Sequence, residues 1–465
     1  DTFAAHGSPL GPDEVRATKE RLGWPLEPEF YLPDEAVSYF RTAVERGEAA
    51  EAAWRQRFDA YAAAFPDLAA ELMQALAGEL PAGWDADLPT WKPGDKPIAT
   101  RKASEAVIQA FFPKIPTFIG GSADLNPSTN TAMKGAGDFQ SPLNQPEGDV
   151  QGTSGGGWGY HGRNIHFGVR EHAMGGAVNG MAAHGGVIPF GATFLVFSDY
   201  MRAAVRLSAL SHLKSIWVYT HDSIAVGEDG PTHQPVEHVM SLRLIPHLTV
   251  IRPADANETR EAWRIALTGS GPTALILTRQ DLPILDRSGA KGDVIQGGYI
   301  LMDTEGEPDI VLIGTGSEVA LCVMAREMLA ERGVQARVVS LPSWELFERQ
   351  PASYRESVLG PEGTPRLSVE AGIPTGWERY TGSRGRQIGV TTFGASGPGS
   401  KVLAHYGFTK EHVAAEALRL LGRLEDAQAI EPEPGPHAIR DRVGTQRNGG
   451  QTAGREAKGG EGHSS

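Results

Sequence analysis

From about residue 96 to 285 the sequence alternates strand-length apolar runs with stretches of helical period, and this alternation narrows the fold more than any other feature. TFIGG, GVIPFGATFL, SIWVYT, LTVIRP and TALILTR are the strand candidates, each flanked by a segment of 3.6-residue periodicity. Such a pattern predicts a mostly parallel sheet covered by helices on both faces. A second alternating unit runs from about 293 to 422, where DIVLIGTG leads into the helix SEVALCVMAREMLAERG, and ARVVSL, RLSVEAG and QIGVTTFG supply further strands. The expected fold class is therefore α/β, with two parallel-sheet domains at 96–285 and 293–422 and a helical segment before them.

That segment, residues 1–95, is helical in pattern and punctuated by proline. Pro33 and Asp34 open the stretch EAVSYFRTAVER, which Gly47 is placed to close as a C-cap, and the Ala-rich EAAEAAWRQRFDAYAAAF runs into Pro66. We read these helices as a linker packed over another domain. The Gly-rich stretch from Met133 to Asn164 has no period and reads as a long loop. Residues 425–465, with almost no large apolar side chain, read as a disordered tail.

Composition closes off several function classes. Acidic residues number 57 against 43 basic, with no long basic run, which argues against a nucleic-acid partner. No stretch of 18 or more apolar residues is present to span a bilayer, so no membrane partner is expected. Cys322 is the only cysteine, which excludes an intrachain disulfide and fits a reducing, cytoplasmic compartment. The sequence opens on Asp1, without Met or a basic-then-apolar leader, so we expect either that something has been removed before Asp1 or that the chain is part of a longer protein.

Three stretches could carry chemistry. THDSIAVGEDGPTHQP, residues 220–235, follows the strand candidate SIWVY, so it leaves a strand at the end where open α/β sheets bind ligands. Its His221, Asp222, Glu228, Asp229 and His233 are open to four readings: recognition of a hydroxylated substrate, general acid–base work, a metal site, or a polar surface loop. No His/Cys spacing supports the metal reading. In HFGVREHAMGG, Glu171 opens a helix among small apolar neighbours, where it is either paired with Arg170 or His172 or held for a ligand nitrogen. In PFGATFLVFSDYMR, Phe194, Phe197 and Tyr200 recur every three residues across a strand-to-helix turn, as core or as the wall of a cofactor pocket. GTG at Gly314–Gly316 follows a strand, but Val319 stands where a dinucleotide fingerprint needs its third glycine.

Together these blocks resemble the transketolases, a thiamine diphosphate-dependent family. GEDGPTHQPVEHVMSLR is close to that family's characteristic loop, and ATRKASE, GGSADLNPS, FGVREHAMG, PFGATFLVFSDYMR, THDSI and LTRQDLP follow in family order. LPSWELFERQ, SVEAGIPTGWERY and GVTTFGASGPG extend the resemblance to about residue 420.

The resemblance implies roles residue by residue. Glu171 stands where the family has the glutamate that bonds the cofactor's aminopyrimidine ring; Phe194, Phe197 and Tyr200 match the aromatic pocket around that ring, and Asp124 an acidic residue near it. His6 matches a histidine that contacts cofactor and substrate. Arg101, Ser128, His221 and Arg279 match residues that hold the sugar phosphate, Asp229 the aspartate that reads the donor's C2 hydroxyl, and His233 a histidine for hydroxyl binding and proton transfer. The implied reaction moves a two-carbon ketol unit between sugar phosphates of the pentose phosphate pathway. The implied assembly is a homodimer with its sites between subunits. The family's GDG-to-Asn motif, which ligands Mg²⁺ or Ca²⁺ at the diphosphate, does not occur. Its absence leads us to expect that the N-terminal diphosphate-binding domain is missing, the metal ligands with it, and that this chain alone is inactive. The alternatives are a β-like subunit of a two-chain thiamine enzyme and a non-catalytic assembly module.

Overall fold

The computed structural model describes residues 6–145, 147–148 and 152–431. The chain divides into two compact units, residues 1–74 and 75–465.

The first unit is helical: α1 (Pro12–Leu22), α2 (Asp34–Ala64) and the greater part of α3 (Pro66–Leu76). Here the sequence expectation needs correcting at Gly47, which does not cap a helix. The 31-residue α2 runs straight through it. A glycine inside a helix costs about 1 kcal/mol relative to alanine, and the Ala- and Glu-rich sequence on its C-terminal side outweighs that. No residue of α1 or α2 is buried, and Phe30, Tyr39, Phe40 and Val44 stand exposed.

The second unit opens with β1 (Ile98–Ala99), which pairs antiparallel with β10 (Asp281–Leu282). Between them lies an eight-stranded sheet of β2 (Phe118–Ser122), β3 (Asp138–Phe139), β4 (Trp158–Gly159), β5 (Asn164–His166), β6 (Ile188–Phe194), β7 (Ile216–Thr220), β8 (Thr249–Ile251) and β9 (Thr273–Leu277). Its order is β4-β3-β5-β2-β6-β7-β9-β8, and every pairing is parallel. The side chains of β7 show why its run is continuously apolar: Ile216 and Val218 enter one core, Trp217 and Tyr219 the other. On one face lie α4 (Thr100–Phe111) and, later in the chain, the helix Ala256–Thr268; on the other lie α6 (Glu171–His184) and α7 (Ser198–Leu210), after the single turn α5 (Asn126–Thr129). The remaining helices of this half are α8 (His238–Arg243) and α9 (Ala256–Thr268).

The Gly-rich stretch 133–164 is not simply a loop. It supplies β3, β4 and the start of β5, two- and three-residue strands too short to leave a period in sequence. Asn164 fastens the stretch from within, its Nδ2 donating to the carbonyls of Met133 (2.9 Å) and Gly137 (3.0 Å), while Asp138 accepts from the Ser154 amide at 3.1 Å.

A second sheet comprises β11 (Tyr299–Met302), β12 (Ile310–Gly314), β13 (Ala336–Ser340), β14 (Arg366–Val369) and β15 (Arg386–Ile388), in the order β11-β13-β12-β14-β15. It is parallel except for β11. The segment expected as a tail begins later than 425: Leu424–Ile430 is a helix, docked by Ala427 and by Glu431, which pairs with His412 (2.8 Å) and Arg419 (3.0 Å). Residues 432–465 of that expected tail lie outside the described residues.

Candidate active site

Parallel pairing sends every βα loop out of one edge of the eight-stranded sheet. Ser122 is level with Ala192, Phe194 with Thr220, and Thr220 with Leu277. The residues that follow these strands, Asp124, Phe197, His221 and Arg279, therefore emerge side by side, as expected for ligand sites in open α/β sheets. Two threonines bring a fifth residue to this edge. The amide of Thr100 donates to Thr278 Oγ1 (3.0 Å), the Thr278 amide to Thr100 Oγ1 (2.7 Å), and the hydroxyls meet at 3.1 Å. This lock sets Arg101, in the first turn of α4, beside Arg279 in the loop after β9.

An aromatic ladder runs along the edge. The Phe194 and Phe197 rings stack at 5.8 Å and 10°, Phe197 and Tyr200 at 5.8 Å and 29°, and Phe194 lies 3.7 Å from the His221 ring. His233 meets Phe197 edge-on at 5.5 Å. Of the two sequence readings of this stripe, core is true only of Phe194; Tyr200 is 66% exposed. Glu171 enters the edge from β5, across a short loop, as the first residue of α6. The residue is 8% exposed, and its carboxylate makes no hydrogen bond or ion pair among the described residues. Neither neighbour neutralises it: Arg170 turns back to donate to the Phe167 carbonyl at 3.1 Å.

The electrostatics of the edge are positive. Arg101 and Arg279 have no carboxylate within ion-pair distance among the described residues; Arg101 donates to the Ser128 carbonyl, and its Nε is buried without a partner. Burial and then the Arg279 charge push the Arg101 guanidinium below its usual range. His221 is 3% exposed, sits at φ +61° and shares a 2.8 Å hydrogen bond with the Thr220 hydroxyl. Burial first, then Arg101, Arg279 and His233, lower its pKa to about 3, so its imidazole is neutral near pH 7. Asp124 (φ +63°) and Asp229 are exposed, and Ser128 lies in α5. His6 is an exposed residue of the first unit.

Asp222, grouped with its neighbours in the sequence reading, turns away from them. It accepts from Arg252 Nη2 (2.8 Å) and Nε (3.0 Å); the same guanidinium contacts Glu318 and lies 3.8 Å from Glu370, itself held by Arg243 (2.8 and 3.0 Å) and Trp377 Nε1 (2.7 Å). Pattern reasoning missed this cluster, because its members are scattered from 222 to 370. The GTG stretch did hold a trace of it: Gly316 sits at φ +58°, and a Cβ there would come within 2.6 Å of the Arg252 guanidinium. Its glycine makes room for a buried arginine and not for a dinucleotide.

One group of potential metal ligands forms among the described residues, Asp199, Glu237 and buried His238, which Nε2 ties to Asp199 at 3.1 Å. It was not anticipated from sequence, since Asp199 is distant in the chain.

Comparison with known proteins bears on the whole chain. Residues 96–284 match the family model "Transketolase, pyrimidine binding domain", residues 297–409 the "Transketolase-like TK C-terminal domain", and residues 1–81 "Transketolase, thiamine diphosphate binding domain". The last match overturns the expectation of a linker after a missing domain: the N-terminal helices are part of that domain's own pattern. Helical periodicity reports that a face is apolar, not what the face belongs to. The placement of the metal ligands in an absent domain, and the inactivity inferred from it, lose their basis. The chain is 49% identical over 427 residues to the transketolase of Geobacillus stearothermophilus, covering 91% of this chain and 61% of that protein. A transketolase structure from Pichia stipitis in complex with sedoheptulose 7-phosphate superposes with a TM-score of 0.81 at 42% identity, over 90% of this chain and 60% of that one. The Leishmania mexicana transketolase gives 0.80 at 42%, over 91% and 60%. The chain thus spans about three fifths of the length of the relatives it matches. With three consecutive family models covering most of its length, and about half of its residues identical to such relatives over nine tenths of it, the chain belongs to the transketolase family.

Proposed function

We propose that the chain acts in thiamine diphosphate-dependent transfer of a two-carbon ketol unit from a ketose phosphate to an aldose phosphate. The observation that carries this reading is the pair of guanidinium groups, Arg101 and Arg279, set beside neutral His221 with no carboxylate at ion-pair distance among the described residues, on the same sheet edge as an unpaired buried glutamate and an aromatic ladder. Two adjacent guanidinium groups repel one another and are relieved by a dianion, and guanidinium forks suit a phosphate. The sedoheptulose 7-phosphate bound by the Pichia stipitis relative is a ligand of that kind.

The edge residues also fit the pyrimidine half of the cofactor. Glu171 offers an unpaired acceptor to a ring nitrogen, and Phe194, Phe197 and Tyr200 offer stacked faces to a flat ring. When bound, thiamine diphosphate supplies the carbanion chemistry that a protein side chain cannot. The chain's own part is then to orient and to manage protons. Glu171 would accept a hydrogen bond from the pyrimidine ring, Arg101, Ser128 and Arg279 would fix the phosphate end, and Asp229 would read a donor hydroxyl. His221 stays uncharged as a hydrogen-bonding group, and His233, beside Phe197 on the same edge, would bind a substrate hydroxyl and exchange its proton. His6 is a further contact that the family resemblance supports, as it supports Asp124 near the cofactor.

Assembly as a homodimer, with sites completed between subunits, is supported by the outer faces of α6 and α7. Tyr200, Leu207 and Leu210 are exposed there, with Val169 just before α6, beside Gly176 and Gly180, which have open space where a Cβ would stand. No helix of the described residues is long and apolar enough to cross a membrane, and we assign the chain to the cytoplasm. The test is a coupled ketol-transfer assay of this chain with thiamine diphosphate, Mg²⁺ and a ketose and aldose phosphate pair. Arg279→Ala should raise KM for both sugar phosphates with a smaller effect on kcat. An unchanged KM would remove the phosphate assignment.

A further inference from the structure

Helix α7 and the turn into α8 bring together three side chains that the ketol-transfer reading does not use. Asp199 is the second residue of α7, and Glu237 and His238 stand at the start of α8. One oxygen from each carboxylate and one imidazole nitrogen all lie within 4.8 Å of one another. Asp199 precedes Tyr200 of the aromatic ladder, and Glu237 follows His233 in the same chain segment, so the cluster joins two stretches that flank the candidate active site.

The imidazole separates this cluster from an ordinary pair of surface acids. His238 is 5% exposed, and its two nitrogens are in different situations. Nε2 lies 3.1 Å from Asp199 Oδ2, which as a carboxylate oxygen only accepts, so a ring proton belongs on Nε2. Nδ1 is then left as a lone pair, buried and without a hydrogen bond, and a second acceptor, Glu237 Oε2, faces it at 3.7 Å. A lone pair opposite a carboxylate is unfavourable unless a cation stands between them. Two ligand atoms each about 2.1 Å from one zinc ion are about 3.4 Å apart at the tetrahedral angle, and the Glu237 side chain, 53% exposed, can turn to close the difference. A ligating histidine whose other nitrogen donates to a carboxylate is the common support of a bound metal. No lysine or arginine answers the two acidic charges. Neither carboxylate pairs with one among the described residues, and Arg202, one turn along α7 from Asp199, donates instead to the Ser241 carbonyl (2.9 Å) and hydroxyl (3.1 Å).

We propose that His238 Nδ1 and Glu237 bind a divalent cation of the zinc class, with Asp199 orienting the imidazole and water completing the coordination shell. Imidazole with carboxylate suits zinc better than Mg²⁺, which prefers oxygen ligands throughout. The inference stands apart from the ketol-transfer reading, and its test uses neither cofactor nor sugar phosphate. Calorimetric titration of the EDTA-treated, dialysed full chain with ZnCl₂ should show one site per chain that Mg²⁺ at the same concentration does not fill. Glu237→Gln alters an exposed side chain that makes no cap hydrogen bond, so the fold is left intact; it and His238→Gln should each weaken zinc binding about tenfold or more, and Asp199→Ala by about tenfold to a hundredfold. Co²⁺ in place of zinc should give visible d–d absorption that His238→Gln removes. The competing histidine pair is His212 and His247, whose rings lie 4.7 Å apart, and His247→Ala should leave binding unchanged. No zinc binding, binding at parent affinity in either Glu237→Gln or His238→Gln, or binding lost in His247→Ala would each overturn the proposal.

Discussion

Arg252 is the most consequential single side chain away from the candidate active site. It is 1% exposed and stands between Asp222 of the eight-stranded half and Glu318 of the five-stranded half, both 1% exposed. In Arg252→Met the stem still packs, but the charge is gone. Asp222 then retains a 3.3 Å bond from Ser223, and Glu318 retains bonds from Ser317 and the Ala371 amide, while Glu370 keeps Arg243. Leaving a buried charge without its partner costs about 3–5 kcal/mol, and here two carboxylates lose theirs. We expect a loss of at least that size in urea unfolding of the full chain at pH 7.5. The deficit should narrow with acid. Burial already raises Glu318 above its ordinary range, with Arg252 the chief opposing influence, so removing Arg252 raises it further. An acid whose folded pKa lies above its unfolded value gains protons first in the folded state, and the fold recovers stability as pH falls through that raised pKa toward the ordinary carboxylate range. A loss under about 1 kcal/mol, or one that does not change between pH 7.5 and 5, would refute the account of the cluster as a charge-compensated joint.

Other outcomes follow from single sites. Glu171→Gln should abolish cofactor-dependent turnover while leaving Tm unchanged, because the carboxylate has no intramolecular partner to lose; turnover near the parent's would remove the assignment. His221, with its pKa lowered from 6.5 to about 3, costs stability in acid, since below about pH 6.5 the unfolded chain takes up a proton that the folded chain refuses. His221→Gln should therefore flatten the acid side of the stability profile between pH 6.5 and 3, and an unchanged profile would show that the imidazole titrates normally. Gly47→Ala should stabilise α2 by about 1 kcal/mol, read as an increase in helical circular dichroism or Tm, because Gly47 is helical and has open space around its Cα.

How much of this was legible beforehand depended on length scale. TFIGG, GVIPFGATFL, SIWVYT, LTVIRP and TALILTR each became a strand, because a buried parallel strand needs apolar side chains on both faces and announces itself as a run. Asp138–Phe139 and Trp158–Gly159 did not, since two residues carry no period, and they pair only because Asn164 and Asp138 fasten the surrounding glycines. Gly47 misled for the opposite reason: a local stop signal was read without weighing the favourable helix sequence beyond it. Among site residues, His221, Asp229 and His233 were visible as an unusual density of polar groups after a strand. The unpaired state of Glu171 was not, because whether Arg170 turns toward it or toward the Phe167 carbonyl is decided by the loop, not by adjacency.

The same distinction explains what the C-terminal half contributes. Nothing in its sequence suggests chemistry, yet it grips the loop that carries His221, Asp229 and His233 at both ends. At the start, Asp222 is tied through Arg252 to Glu318; further on, Gln234 Nε2 donates to the carbonyls of Gly227 (2.8 Å) and Ala395 (2.9 Å), and Gly399 packs against Ala225. Between these two anchors the loop is buried from His221 to Gly227 and exposes Glu228 and Asp229 at its tip. A loop held by its own sheet alone would pay the conformational entropy of ordering these polar residues each time a substrate bound. Clamped between two sheets, it has paid that entropy on folding, so the geometry of the hydroxyl-reading groups is set by contacts with the five-stranded half, distant in sequence.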